Sequence, residues 1–594
     1  MALNRNSRRL LASASGVAII VAMTSAAMAQ EASSPTLETV TVQGVRGFSS
    51  DVSQIGGFRG AQLIDTPATI AVLPRDLLDA QQVGGMNDLL KNVAGANSAQ
   101  TGFTVTSNQS IRGIPLDNRN GFRMDGSLPF VNLIDLPMED KERVEVMKGA
   151  AGLYYGFASP AGVINVTLKR PTQDPMWDVK LFGNAFGGAG IATDFGGTVG
   201  NGKFGYRING VYSGVNYGID HQQGTRSLIS GAFDYHPIES VTMQVDVEHI
   251  YKSLPEPGLF RFVTTPTPTL ANPYPAIAIP DIKSIDPKTN FAPNWAQYRA
   301  EETNVLSHNV WSITDQFELS VDVGDSKFSR LRAFTTIQPT NILTGAGTEQ
   351  FAFFTQQNEN RNARIQAAGT FDTFGLTHNA MVGWSDNVRD TFSVNAPQTA
   401  CTAATGGSGV YQGATTFAAN PLNPNTQIAT ATACQSGITS VNGVAVNYLN
   451  PTFVNGMARQ AAPAFTGNVG RIDDSGFYIF DRISYGEYVD LLAGGRFGNY
   501  NDITIKPNKI KNNHAAPATQ SEGIVVKPFG NKDLSIYASY VEALETPGLG
   551  PITVVNAGQP LPPLPSAQRE IGVKSEFFEG LLLTADYFNI HRAA

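Results

Sequence analysis

Cysteine is almost missing from the 594-residue chain: Cys401 and Cys434 are the two, both within one polar stretch rich in Ala, Thr, Gly and Asn. Two thiols fall short of a four-ligand zinc site, so metal ligation is the weaker alternative. In an oxidising compartment they read instead as a disulfide that pins a loop, worth about 3 to 4 kcal/mol on chain-entropy grounds. Charged residues are scarce at 15%, and the formal net charge is −8. That balance excludes nucleic acid as an expected partner, because such binding rests on Lys and Arg neutralising phosphates. Basic groups gathered locally can still hold a small anion. Beyond the first thirty residues no window supplies the roughly 18 consecutive apolar residues of a membrane helix. Nor is there a G-x-S-x-G, H-E-x-x-H or Walker-type sequence, and the seven histidines do not cluster. A soluble protein and a β-barrel are what remain.

The first 29 residues have the form of an export signal. Arg5, Arg8 and Arg9 precede an apolar run from Leu10 to about Met23, and Ala27-Met28-Ala29 ends it before Gln30. Ser13, Ser15 and Gly16 interrupt the run, which argues against a retained anchor. Everything after Ala29 is therefore expected outside the cytoplasm. Gly 59, Phe 33 and Tyr 18 favour many short strands, turns and aromatic surfaces.

From Trp177 onward the chain alternates with period two, as half-buried strands do. Phe204, Tyr206, Ile208 and Tyr212 share one face while Arg207 and Asn209 share the other. Met243, Val245 and Val247 oppose Thr242, Gln244, Asp246 and Glu248. Ile571, Val573 and Phe577 oppose Glu570, Lys574 and Glu576, and Leu534, Ile536, Ala538 and Tyr540 oppose Asp533, Ser535 and Ser539. A soluble sandwich would alternate too, but the connections discriminate. Tight turns are read at Asn201-Gly202, Gly324-Asp325, Gly486-Glu487, Gly530-Asn531 and Glu579-Gly580. Long segments run from about Ser253 to Ser307 and from about Asp390 to Val469. Short turns at one rim and long loops at the other describe an outer-membrane barrel. Arg207 or Lys574 turned toward mid-membrane lipid would cost roughly 2 to 4 kcal/mol, so the apolar faces point out and the charged faces line the bore. About fifteen candidate strands are legible, an odd number where single-chain bacterial barrels have an even one. The expectation is a chain shorter than the closed barrel requires.

Residues 63–171 read differently, as a compact mixed α+β domain. Asp65 to Val72 gives a turn and a strand, Pro74 to Asp79 a helix start, and Asn87 to Val93 a second short helix. Glycine-separated strands follow at Ser110-Ile111-Arg112-Gly113, Gly121 to Gly126 and Val163 to Val166. The order DTPATIAVLP, DLLKNVAG, SIRG, FRMDGSLP, ERVEVMKG, LYYGFASPAGVINVTLKRP resembles the plug domain of TonB-dependent siderophore receptors of the ferrichrome and hydroxamate kind. Leu37, Glu38, Thr39, Val40, Thr41 and Val42 resemble their TonB box. The resemblance implies an all-β transmembrane barrel, of 22 antiparallel strands in the family, with the plug inside its lumen. Its divisions are a signal peptide (1–29), a periplasmic segment with the box (30–62), the plug (63–171) and an incomplete barrel (172–594). Gly149, Gly152, Gly156 and Gly162 are expected to let plug loops approach the wall, and Tyr154 and Tyr155 to sit in the plug core or on the wall.

The same resemblance implies an outer-membrane receptor of a Gram-negative bacterium, not an enzyme, expected as a monomer amid lipid and lipopolysaccharide. It would import a ferric siderophore into the periplasm with energy from TonB. Arg112, Glu142, Glu145 and Lys148 fall where the family carries charged plug residues, some pairing with wall carboxylates. Plug apices are expected at 98–106, 115–120 and 128–132, where Gln100, Phe103, Asn118, Arg119 and Phe130 offer aromatic faces, amides and one cation to a hydroxamate-type chelate. No cofactor and no protein-bound metal are implied, since the chelator fills iron's coordination sphere. A receptor for cobalamin, another metal chelate or an oligosaccharide is the alternative within transport; a secreted adhesin or enzyme is the alternative outside it. The gap from Gln30 to Leu37 is too short for an added periplasmic signalling domain.

Overall fold

The computed structural model describes residues 52–592 with gaps, the longest at 261–282, 431–443, 448–469 and 546–563. The expected leader and TonB box therefore lie outside the described residues, as do Gln100, Phe103 and Cys434, and nothing is described of the Cys401 side chain.

Between Val52 and Leu168 the chain forms the mixed domain. A five-stranded sheet runs in the order Ile70–Pro74, Lys141–Lys148, Gly162–Leu168, Phe122–Met124, Leu128–Pro129. Lys141–Lys148 is antiparallel to both neighbours, whereas Phe122–Met124 lies parallel to Ile164–Val166. Short helices occupy Arg75–Ala80, Met86–Leu89 and Gly152–Tyr155, close to where Pro74 and the apolar spacing of 87–93 place the first two. The central strand Gly162–Leu168 reads as a near-continuous apolar run because both its faces are covered.

The wall begins at Met176. Among the described residues, fifteen strands of eight or more residues follow one another in its sheet, from Met176–Gly183 to Leu581–Arg592, each antiparallel to the next. Phe204, Ile208 and Tyr212 stand on the outer face, with Val245, Val247, Ile571 and Val573. Asn209, Asp246, Glu248, Glu570 and Lys574 are buried on the inner one. The alternation thus sorts as lipid requires. Tyr235, Phe374, Tyr485 and Phe529 stand exposed along the rim of short turns, as an aromatic girdle does. Asn201-Gly202 is one of those turns, with φ of 57° and 82°.

Gly324-Asp325 is not. It lies inside the unbroken 25-residue strand Phe317–Asn341, and the turn precedes that strand. The glycine serves packing: a Cβ there would come within 2.8 Å of Leu128 Cδ1, on the mixed domain. The apolar core of that domain runs on into the wall, where Leu228, Ile250, Leu306 and Phe328 join Phe122, Phe130 and Ile134 in one cluster. Each such side chain contributes roughly 1.5 to 3 kcal/mol when fully buried. The mixed domain therefore packs against the inner face of the sheet.

Candidate functional site: the seam between inner domain and wall

Arg112 occupies the turn between Gln109–Ile111 and Ile114–Pro115 with φ of 54°, a conformation that aims its side chain away from its own sheet. Its Nη1 donates to Glu570 Oε2 at 2.7 Å and its Nη2 to Asp586 Oδ2 at 2.7 Å, while the guanidinium lies 4.0 Å from the Phe588 ring centre. Glu570 also accepts from Thr69 Oγ1 at 2.7 Å, Tyr537 Oη at 2.6 Å and Gln568 Nε2 at 2.9 Å. A buried carboxylate is tolerable only when its lone pairs are filled in this way.

Similar pairs recur along the seam. Lys141, fully buried, donates to Asp140 at 2.7 Å and to Glu248 of the wall. Burial alone would depress this ammonium, but the two carboxylates outweigh it and raise its pKa. Lys252 of the wall reaches Asp135 at 3.0 Å, and Arg364 of the wall donates to the Gly126 carbonyl at 3.1 Å and to Tyr154. Lys574 does something different. Its Nζ is held by oxygens of one inner segment: the carbonyls of Leu63 at 2.5 Å, Thr66 at 2.6 Å and Ala68 at 2.9 Å, and Thr66 Oγ1 at 2.8 Å. Ser535 Oγ donates to the Ile64 carbonyl at 2.8 Å beside it, and Lys527 pairs with Asp65 at 3.1 Å. Residues 63–66 and 68 are thereby clasped to the wall.

Glycines let the seam close: at Gly152 a Cβ would stand 2.6 Å from the Glu542 carbonyl of the wall, and at Gly156 2.6 Å from Asp474 Oδ2. Gly162, with φ of 138°, does not face the wall; a Cβ there would strike the Met147 carbonyl of its own domain. Tyr155 accepts from the Gly56 N–H at 2.9 Å, and Tyr154 packs on Tyr478 of the wall, so the pair divides between core and wall.

Of the four charged residues singled out in the sequence, Arg112 pairs with the wall, at Glu570 and Asp586. Glu142 is exposed. Glu145 accepts from Asn165 Nδ2 at 2.9 Å, with Arg143 at 3.6 Å, both in its own domain. Lys148 forms no ion pair among the described residues; its carbonyl accepts from Arg112 at 3.4 Å. Phe130 is not a ligand-facing aromatic either. It is wholly buried against Phe122, and the Val131 N–H beside it donates to Glu302 of the wall, because residues 128–132 turn sideways into the seam. Asn118 donates to Asn108, a bond internal to the apex. Arg119 faces the cleft bounded by Asn120, Asn360, Arg389 and Tyr500. Sequence reasoning missed Lys252, Arg364 and the clasping role of Lys574; an inward lysine or arginine on a strand was their one signal.

Residues 62–163 match the TonB-dependent Receptor Plug Domain family, and residues 263–593 match the TonB dependent receptor-like β-barrel family. The chain belongs to the TonB-dependent receptors. The inner domain is their plug, and the outer membrane of a Gram-negative cell is the setting that its greasy outer face requires. This family is one of receptors and transporters, not an enzyme class. The chain is 22% identical over 91% of its length to the ferric-pyoverdine 358 receptor of Pseudomonas putida, covering 61% of that protein. It is 24% identical over 87% to the ferrichrome receptor FcuA of Yersinia enterocolitica, covering 63%. The chain thus spans about three fifths of the length of these curated relatives. In fold it resembles the ferric preacinetobactin receptor BauA of Acinetobacter baumannii, with a TM-score of 0.73, 19% identity, and 92% of this chain and 74% of that one covered. The ferric-catecholate import receptor Fiu of E. coli gives 0.70 at 16% identity, covering 91% and 76%.

Proposed function

We propose that this TonB-dependent receptor captures a ferric siderophore at the rim of long loops and passes it to the periplasm with work supplied through TonB. The carrying observation is a plug fixed to the wall by buried ion pairs, Arg112 to Glu570 first among them. Removing one partner from such a pair costs about 3 to 5 kcal/mol, and several are present, so thermal motion does not clear the bore. Spontaneous passage would be slow for the ligand as well. At a Kd near 1 nM and an association rate of about 10⁶ M⁻¹s⁻¹, release takes on the order of a thousand seconds. An external pull resolves both difficulties.

Relatives named for ferric pyoverdine and ferrichrome, and fold neighbours named for preacinetobactin and catecholate chelates, support iron chelates as the cargo class. The segment Leu37–Val42 suits strand addition by a periplasmic partner: Val40 and Val42 alternate with Thr39 and Thr41, and no proline interrupts. Uptake of iron-loaded siderophores by cells making the receptor, against cells making Val40→Pro, is the test. The variant should bind ligand yet fail to import it, because proline deletes a strand hydrogen bond. Equal import by both would remove the energised reading.

A further inference from the structure

The lipid-facing surface breaks its own rule in one sector, over the strands Val489–Lys506, Ala518–Val526, Leu534–Glu545 and Leu564–Phe578. Near the rim of short turns the outward positions are greasy: Leu491, Ile524, Ile536 and Val573 are all exposed. The outward residue after Ile524 is Glu522, and it too is exposed. Glu522 stands opposite Ala493 on one side and Tyr540 on the other, and Arg569 of the next strand stands opposite Tyr540. Arg569 is exposed as well.

These charges lie inside the belt and not at its edge. Glu522 is four residues above the end of its strand at Val526. At about 3.3 Å per residue and a tilt of about 40°, that is about 10 Å up a belt about 25 Å tall. Phe497, opposite Ala518 and farther from the rim of short turns than Glu522, is again 63% exposed. Neither Glu522 nor Arg569 forms an ion pair among the described residues. The Arg569 guanidinium lies 5.8 Å from the Tyr540 ring centre, and Tyr540 Oη donates to Glu542 at 2.8 Å, so that tyrosine stands between the two charges. Two strand spacings, about 10 Å, separate them. An ionised side chain turned to hydrocarbon is costly, and where one is kept it faces protein or water.

The relief of the surface is low at the same place. Ala493, Gly495, Ala518 and Ala538 point outward where other sectors carry Ile208, Ile229, Val247 and Ile365. A Cβ added at Gly495 would meet nothing nearer than 3.7 Å. Small residues let two backbones approach within a membrane.

We infer that this sector is an interface with a second copy of the chain, in place of the monomer expected from the resemblance. A two-fold contact sets one patch against itself, so the patch has to be self-complementary. Glu522 and Arg569 meet that demand. With the axis passing near Tyr540, Glu522 of each copy comes opposite Arg569 of the partner subunit, and both charges find the counter-ion that lipid does not supply. The inference needs only the outward face of the wall and stands apart from the reading of the cargo.

The experiment places a photoreactive amino acid at Ala538 of the full chain and measures cross-linking in intact outer membranes. Wild type should give a product of twice the chain's mass. Glu522→Arg and Arg569→Glu set like charges together and should each lower its yield at least tenfold, while the double reversal should restore it to within about threefold of wild type. Glu522→Gln suits lipid better than the native carboxylate, so it folds whether or not the interface exists; it should lower the yield about tenfold. Cross-links to lipid alone, cross-links to a different outer-membrane protein, equal yields in wild type and Glu522→Gln, or a double reversal no better than the single ones would each overturn the inference.

Discussion

Arg112 of the plug and Glu570 of the wall lie 2.7 Å apart with side chains 3% and 0% exposed, so the pair is sealed from solvent although its members are 458 residues apart in sequence. Arg112→Met leaves Glu570 charged in that space. The plug should lose about 3 to 5 kcal/mol of stabilisation, read as faster amide exchange along Lys141–Lys148 and Gly162–Leu168. The double variant Arg112→Met with Glu570→Gln should recover much of that loss. Unchanged exchange in the single variant would remove the pair from the list of plug fastenings.

Lys574 makes a second, independent test because it holds backbone and not a carboxylate. Lys574→Met strands the carbonyls of Leu63, Thr66 and Ala68 without their donor. Each orphaned group costs about 1 to 3 kcal/mol. Limited proteolysis of outer-membrane vesicles should then cut near residues 63–68 in the variant and spare wild type. A protected segment in both would mean that Ser535 and Lys527 suffice.

Asp125 gives the plug a pH dependence. Burial, reinforced by Asp246 and opposed by Arg170, pushes its carboxyl up to about 7. Its Oδ1 accepts from the Leu168 N–H at 3.3 Å, while Oδ2 is buried with no partner among the described residues. The raised value means that the folded plug favours the protonated acid. The contribution is full below about pH 4, is lost as pH rises toward about 7, and is absent above. Asp125→Asn keeps the shape, tolerates φ of 45° and carries no charge. It should stabilise the plug by about 1 to 3 kcal/mol at pH 8 and hardly at all at pH 4, measured by amide exchange. A gain of equal size at both values would sink this assignment.

Gly152→Val should displace the helix Gly152–Tyr155 from the wall, since the Glu542 carbonyl and Ala543 Cα stand 2.6 and 2.7 Å from the site of a Cβ. A loss of about 1 to 3 kcal/mol is expected from overpacking of this kind. Gly200→Ala serves as the comparison: the open turn leaves its Cβ without a neighbour, so only the cost of its φ of 64° remains.

Much of this was legible in the chain because a membrane wall obeys one rule, period two with grease outward. Phe204, Ile208 and Tyr212 announced their face, as did Glu570 and Lys574 theirs. Where a residue has two reasons to exist, the sequence was ambiguous. Gly324 reads as a turn by composition and is a packing gap beneath Leu128. Phe130 reads as an aromatic lure on an apex and is core. Glu142 and Glu145 sit on opposite faces of one strand, and the sequence alone does not say which face is covered: Glu142 is exposed, while Glu145 is buried and accepts from Asn165. Partners such as Lys574 and Leu63, 511 residues apart, leave no local trace, since only the packing of the wall against the plug brings them together.

The central claim is that the plug lies inside the wall and must yield for transport. Ser127 Oγ of the plug donates to Asn362 Oδ1 of the wall at 2.9 Å, both buried. Ser127→Cys combined with Asn362→Cys should cross-link in intact outer membranes, hold ferric siderophore normally and fail to import it until reductant is added. Failure to cross-link, or import undiminished by a complete cross-link, would contradict the account.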